Sequence, residues 1–103
     1  MRYVVQGLKG PKVFTTGGYY LVRDINYFDR EVKGKVLKCL RLRTERTPRY
    51  VFLEFEVVGS AHIRLQWLPI PVLATEKGQL GSVKKQVEWM VPISKFDVLK
   101  EML

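Results

Sequence analysis

Two neighbouring segments, residues 35–43 and 50–58, alternate apolar and polar side chains. Alternation with a period of two is typical of β-strands that bury one face, because successive side chains of a strand point to opposite sides of the sheet. Residues 44–49 between them are polar and contain Pro48, which is typical of a connecting loop. The sequence therefore predicts a long β-hairpin, and this hairpin constrains the fold more than any other feature.

Further short segments have a similar β character. We expect strands at residues 2–6, 13–16, 19–25, 63–67 and 87–91. Gly17 and Gly18 supply the positive φ angles that a tight turn needs, so the strands on either side of them are predicted to pair. Pro69 and Pro71 end the strand at 63–67 or place it at a sheet edge, because proline donates no backbone hydrogen bond.

The last residues carry the signals of a helix start. Ser94 is a good N-cap, and Asp97 follows three residues later in a capping-box arrangement. Phe96, Leu99 and Leu103 form an apolar stripe at helical spacing. We expect a short C-terminal α-helix that packs on the sheet.

Residues 29–40 fit either a helix or a strand. Phe28, Val32, Val36 and Leu40 recur at helical spacing. A helix would place Gly34 in its interior, which is unfavourable, and the apolar run at even positions continues past the point where a helical stripe would drift. We favour the strand.

Together these elements predict a mainly β fold with one short C-terminal α-helix. We expect a small curved sheet or barrel, with the five-stranded oligonucleotide-binding (OB-like) barrel as the best single match. Because the chain has 103 residues and 47% of them are apolar, we expect a single domain over residues 1–103. Residues 77–82 contain two glycines and are interpreted as a mobile loop.

Positive charge is concentrated in the first half of the chain. Twelve of the eighteen Lys and Arg residues precede residue 51, where only four acidic residues occur, so this half carries the whole net charge of +8. Residues 51–103 contain six basic and six acidic residues, so their net charge is zero. A polyanion is the natural partner of such a segment, because each neutralised phosphate releases condensed counterions.

The hairpin predicts where these cations lie. Matching its apolar faces gives three apolar pairs: Leu42–Val51, Leu40–Leu53 and Val36–Val57. The opposite face then places Arg43 beside Tyr50 and Arg41 beside Phe52. Lys38 alone falls on the core face in this register, which requires either a snorkelling side chain at an edge or a β-bulge.

Cations and aromatic rings on one strand face are typical of proteins that bind single-stranded nucleic acid. We predict noncatalytic binding of RNA or single-stranded DNA, with little sequence specificity. The predicted binding residues are Lys35, Arg41, Arg43, Arg46, Arg49, Tyr50 and Phe52. Basic residues on a strand are also common as a plain solvated face, which is the structural alternative.

Residues for catalysis are sparse. His62 and Cys39 are the only residues of their types, so a zinc site or a Cys–His pair lacks support, and we expect no metal, no cofactor and no enzymatic activity. Glu54 and Glu56 share a strand face and, together with Asp24 or Asp29, are the candidates for a metal-dependent nuclease. The common core of such nucleases has a lysine two residues after the second acidic residue, but Val58 occupies this position here. We therefore favour an interpretation in which Glu54 and Glu56 pair with neighbouring cations such as Lys35.

The main alternative function is a structural or interaction subunit of a ribonucleoprotein, polymerase or viral assembly. Trp67, Leu68 and Ile70 would then form a protein contact or homodimer edge. No apolar run reaches the roughly 20 residues of a membrane span, and the first residues lack the pattern of a signal peptide, so we expect neither. One cysteine cannot form an intramolecular disulfide, so we expect a cytoplasmic or intraviral protein without a membrane partner.

Overall fold

The structure is a computed structural model that describes residues 1–44, 49–72 and 79–101. The described residues form seven β-strands, two α-helices and a 3₁₀ turn at Arg30–Val32. The strands are β1 (Arg2–Gly7), β2 (Gly10–Thr15), β3 (Tyr19–Val22), β4 (Val36–Arg43), β5 (Tyr50–Val57), β6 (Leu65–Pro71) and β7 (Met90–Ile93), and the helices are α1 (Gly81–Glu88) and α2 (Lys95–Glu101). The predicted mainly β class with a short C-terminal helix is confirmed.

The strands form two antiparallel sheets. Five of them pair in the order β6-β5-β4-β3-β7, and β1 pairs only with β2. Within the described residues, β6 and β7 are the two edges of the larger sheet and do not pair with each other. The sheet is therefore open there, and no closed barrel is found. The edge position of β6 agrees with the prediction from Pro69 and Pro71.

The predicted hairpin is present as β4 and β5, but its predicted register is wrong. Leu37 pairs with Val57 and Cys39 with Phe55, whereas beyond a bulge at Leu40 the pairing shifts and Leu42 lies opposite Leu53. The bulge gives β4 one extra residue, which simple alternation does not reveal. It moves Lys38 away from the core face, so the bulge alternative for that residue is correct.

Residues 29–40 do not form a helix. After the 3₁₀ turn, the chain turns at Gly34, where φ is +79°, and enters β4 at Val36. Residues with a side chain rarely adopt such a φ, so the glycine favours a turn at this point. The strand prediction is therefore confirmed for residues 36–40, whereas residues 30–34 form the 3₁₀ turn and the turn at Gly34.

The predicted pairing across Gly17 and Gly18 is wrong. β2 pairs with β1, with Val4 opposite Val13, whereas β3 pairs with β4 and β7. Gly17 does adopt a positive φ of +83°, but its turn carries the chain from one sheet to the other. The expectation that β3 pairs with the preceding strand therefore fails, because β3 lies between β4, the next strand along the chain, and β7, which is distant in sequence.

Helix α1 occupies a region that was predicted as part of a loop and part of a strand. Val83, Gln86 and Val87 are buried and recur at the spacing of one helix face. The alternation of Val87, Trp89 and Val91 that predicted a strand at 87–91 spans a helix end and the start of β7. Both predictions are corrected, although residues 77 and 78 of the predicted loop lie outside the described residues.

One hydrophobic core joins the two sheets and α1. It lies on the side of the five-stranded sheet that we call the inner face, which carries Tyr20, Leu37, Cys39, Leu53 and Phe55. The hairpin of β1 and β2, helix α1 and the segment of residues 23–35 contribute the facing side chains, namely Tyr3, Val5, Phe14, Phe28, Val32, Val83 and Val87. The opposite side of the sheet is the outer face.

Helix α2 begins as predicted. The Ser94 hydroxyl accepts a hydrogen bond from the Asp97 backbone amide at 3.2 Å and donates one to the Asp97 carboxylate at 2.9 Å. The predicted packing stripe is wrong, because Phe96 and Leu99 are 66% and 58% exposed, and Val98 is the residue that is buried. Leu103 lies outside the described residues.

Candidate nucleic-acid interface

Three rows of side chains cross the outer face on β4, β5 and β6. The strand register gives these rows as Arg43–Phe52–Pro69, Arg41–Glu54–Trp67 and Lys38–Glu56–Leu65. Residues of one strand that are two apart point to the same side, so cations, carboxylates and rings share this surface. The placement of Arg41, Arg43 and Phe52 on one face agrees with the sequence prediction.

Glu54 organises the central row. Its carboxylate accepts hydrogen bonds from Arg41 Nε at 3.2 Å, from Arg43 Nη1 at 3.2 Å and from Trp67 Nε1 at 2.9 Å. The residue is only 1% exposed, although it lies on the face opposite the core. A buried carboxylate is stable when its oxygens are paired in this way. We call these four residues the Glu54 cluster.

The cluster holds Glu54 in its charged form. Burial alone would raise the pKa of Glu54, but the hydrogen bonds from Trp67 and Arg43 and the positive charges of Arg41 and Arg43 outweigh it. The pKa of Glu54 therefore lies below its ordinary value of 4.5. The carboxylate stays ionised at neutral pH and keeps its three donors in place.

The groups around Glu54 remain accessible from the outer face. The side chains of Arg41 and Arg43 are 68% and 45% exposed, and Trp67 is 40% exposed. Phe52 and Tyr50 are half-buried. The predicted neighbours are shifted, because Arg43 lies beside Phe52 instead of Tyr50, and Arg41 lies beside Glu54 instead of Phe52.

The other predicted binding residues do not all join this surface. Lys35 is exposed but precedes β4, at the opposite end of the strand from Arg43. Arg49 is exposed at the entry to β5, where its carbonyl accepts a hydrogen bond from Val72 N at 3.0 Å. Arg46 lies outside the described residues. Lys38, which was predicted on the core face, instead lies on the outer face opposite Glu56.

The predicted protein-contact patch on β6 does not exist as one surface. Trp67 faces outward, whereas Leu68 is fully buried and Ile70 packs against the core cluster. Trp67 instead belongs to the candidate interface, which the sequence did not reveal. Residues 65–70 are apolar at both odd and even positions apart from Gln66, so alternation could not show which set faces outward.

An open groove lies beside the candidate interface. It has a volume of about 430 Å³ and is lined by Tyr27, Asp29, Phe52, Gln66 and Trp67. Gln66 Nε2 donates a hydrogen bond to the Asp29 carboxylate at 3.0 Å, and Gln66 Oε1 accepts one from the Asp29 backbone amide at 3.4 Å. Residues that are 37 positions apart thus meet here, and no local sequence signal pointed to Tyr27 or to the contact between Asp29 and Gln66.

The residues weighed for catalysis are dispersed. His62 is exposed near the turn between β5 and β6, and Cys39 is buried in the core, where desolvation raises the pKa of its thiol to about 11. Glu54 already pairs with two arginines instead of the predicted Lys35, and Glu56 is exposed. Within the described ranges, no three His, Cys, Asp or Glu residues come together in a possible metal site.

No helix in the described part of the chain is long and apolar enough to cross a membrane. Comparison with known proteins finds no family model that matches the chain, no curated protein with significant sequence similarity and no solved structure with a significantly similar fold.

Proposed function

We propose that the protein binds RNA or single-stranded DNA through its outer face and does no chemistry on it. The observation that carries the proposal is the Glu54 cluster, in which two arginines and a tryptophan converge on one buried carboxylate beside Phe52. Their common partner fixes these side chains before any ligand arrives. Fixed groups lose less conformational entropy on binding than mobile ones.

The cluster leaves binding capacity unused. A guanidinium has five N–H donors, and the contact of Arg41 to Glu54 engages only its Nε. The Arg41 side chain is 68% exposed, so its other donors can bind phosphate oxygens. The ring faces of Trp67 and Phe52 offer stacking surfaces, each worth about 1 to 3 kcal/mol per base. Phosphate contacts and base stacking together are what a single strand requires.

We expect only a modest electrostatic contribution to the affinity for nucleic acid. Glu54 cancels one of the two arginine charges, so attraction also depends on the other cations of the chain, whose total net charge is +8. Contacts to two or three phosphates predict a slope of log K against log salt of about −1.5 to −2 for a single strand. The open five-stranded sheet is sufficient for this role. The proposal does not require the sheet to close into an oligonucleotide-binding barrel.

The test is fluorescence anisotropy against labelled single-stranded RNA, single-stranded DNA and duplex DNA across a salt series. Phe52→Ala should weaken binding to single strands about 5- to 150-fold, which corresponds to one lost stacking contact. Arg41→Gln should weaken binding to every single strand and make the salt slope shallower by about 0.7. Arg23→Gln removes the same charge from an exposed residue beyond β3 and serves as the matched control.

The competing function is that of an interaction subunit in a larger assembly. The exposed Phe96 and Leu99 on α2 favour it, since large apolar side chains exposed together often mark a protein contact. Equal, weak binding to all three polymers that does not respond to Phe52→Ala would contradict the stacking interface. That result would transfer support to the subunit function.

A further inference from the structure

The groove beside the Glu54 cluster has aromatic walls. Tyr27 and Trp67 line it and are 39% and 40% exposed, and Phe52 lines it as well. Its volume of about 430 Å³ lies within the range of about 300 to 1,000 Å³ that is usual for small-ligand sites. Trp67 and Phe52 also belong to the outer face. A single-stranded nucleic acid bound on that face would therefore pass the entrance of the groove.

The groove contains one carboxylate with spare acceptor capacity. Among the described residues, the Asp29 side chain accepts a hydrogen bond from Gln66 alone. A carboxylate has two oxygens with about four lone-pair sites, so most of its capacity is unused. Asp29 is exposed and is not paired with a cation in the part of the chain that the structure describes. A negative group in this position repels phosphate and attracts hydrogen-bond donors.

Guanine is the base whose edge best matches a carboxylate. Its Watson–Crick edge carries two adjacent donors, the N1–H and the N2 amino group, which can bond to both oxygens of one carboxylate. Adenine, cytosine and uracil each place an acceptor next to their donor, so they meet the same carboxylate with one favourable and one repulsive contact. Proteins read unstacked RNA bases through such edge hydrogen bonds combined with aromatic stacking.

We propose that this groove receives one base of the bound strand and prefers guanine, with Asp29 reading its Watson–Crick edge and Tyr27 and Trp67 packing against its ring. The inference rests on the proposed binding of single strands by the outer face. It adds discrimination at one nucleotide to a surface that otherwise reads no sequence.

Two buried glutamines hold the groove residues in place. Gln86 Oε1 accepts hydrogen bonds from the backbone amides of Asn26 and Tyr27 at 3.0 and 3.3 Å, and Gln86 Nε2 donates to the Asp24 carbonyl at 3.1 Å. Gln66 fixes Asp29 at the other end of the same short segment. Specific recognition needs such support, because a loosely held side chain discriminates poorly.

The test uses labelled uridine strands that carry one central guanosine, adenosine, cytidine or inosine. The guanosine strand should bind about 5- to 100-fold more tightly than the adenosine and all-uridine strands, as expected for one bidentate contact to a base. Inosine lacks the N2 amino group and should give an intermediate affinity. Asp29→Asn should abolish the guanosine preference without weakening binding to the all-uridine strand.

Glu31→Gln is the matched control, since it removes the same charge from an exposed residue two positions away and should keep the preference. The amide oxygen of Asn can still accept the Gln66 hydrogen bond, so Asp29→Asn should melt within a few degrees of the unmodified protein. Binding without a guanosine preference, or a preference that survives Asp29→Asn, would overturn the groove inference alone. Failure to bind any of the strands would overturn the proposed function itself.

Discussion

The two faces of the five-stranded sheet are stabilised in different ways. On the inner face, Phe55 is fully buried and its ring lies near those of Phe14, Tyr20 and Phe28, with centroids 5.5, 6.3 and 6.4 Å away. On the outer face, the most buried charged residue is Glu54, which is held by three directional hydrogen bonds. One face depends on apolar area, and the other depends on a single carboxylate.

This difference separates the stability of the sheet from the placement of its outward-facing groups. Burial of apolar area is non-directional, so the inner face contributes a large free energy of folding that many side-chain combinations could supply. The hydrogen bonds of Glu54 are directional and contribute less net free energy, but they fix where two arginines and one indole lie. The inner face thus determines whether the sheet forms, and the outer face determines which groups it presents.

The largest effect is expected from Phe55→Ala. Removal of a fully buried phenylalanine from the core should lower the free energy of unfolding by about 3 to 5 kcal/mol. Phe52→Ala, on the outer face of the same strand, should lower it by only about 1 kcal/mol, because that ring is half-buried. Urea denaturation of both variants measures the difference. Equal losses would show that the two faces do not divide their roles as described.

A smaller loss of the free energy of unfolding is expected from Gln86→Leu. This variant tests the buried hydrogen bonds of helix α1, which packs against the inner face. Leucine has a similar volume but leaves two backbone amides and one carbonyl of residues 24–27 without their partner. We expect a loss of about 2 to 4 kcal/mol in the free energy of unfolding. Gln79→Leu removes one hydrogen bond from a half-buried glutamine and should cost less than about 1 kcal/mol. An unchanged free energy of unfolding in Gln86→Leu would show that water replaces these hydrogen bonds.

The sequence predicted the inner face of β5 well but not that of β4, where Leu37 and Cys39 are buried in the core instead of the predicted Leu40 and Leu42. Leu53, Phe55 and Val57 are buried as their alternation predicts, because a half-buried strand needs only an apolar residue at every second position. The register was not predictable, since the bulge at Leu40 adds a residue without changing the local composition. Helix α1 was missed because polar Gln86 lies within its buried face, which hides the helical stripe.

Only those residues of the candidate site that lie close together in the sequence could be predicted as neighbours. Arg41, Arg43 and Phe52 lie on one hairpin, so strand parity was enough to place them together. Trp67 lies on a strand that is apolar on both faces, and its outward position depends on how β6 pairs with β5. Asp29 meets Gln66 through a tertiary contact, for which a single sequence carries no periodic signal.

Glu54→Gln tests whether one carboxylate holds the outer face. The amide offers a single acceptor oxygen and points an N–H group toward Arg41, Arg43 and Trp67, so we expect a loss of about 1 to 3 kcal/mol at pH 7. The loss stays below that of a fully buried ion pair, because the half-exposed guanidinium groups regain water. Denaturation midpoints at neutral pH measure the loss.

The pH dependence of the same variant identifies its cause. Because the pKa of Glu54 is lower in the folded protein than its ordinary 4.5, the ionised carboxylate stabilises the fold above that pH. This contribution is lost as the pH falls through the folded-state pKa, so the gap between the unmodified protein and Glu54→Gln should narrow below pH 4.5. Glu56→Gln changes the same charge on the same face at an exposed residue and serves as the matched control. A gap that stays constant down to pH 3 would mean that the shape of the side chain, and not its charge, holds the arginines and Trp67 in place.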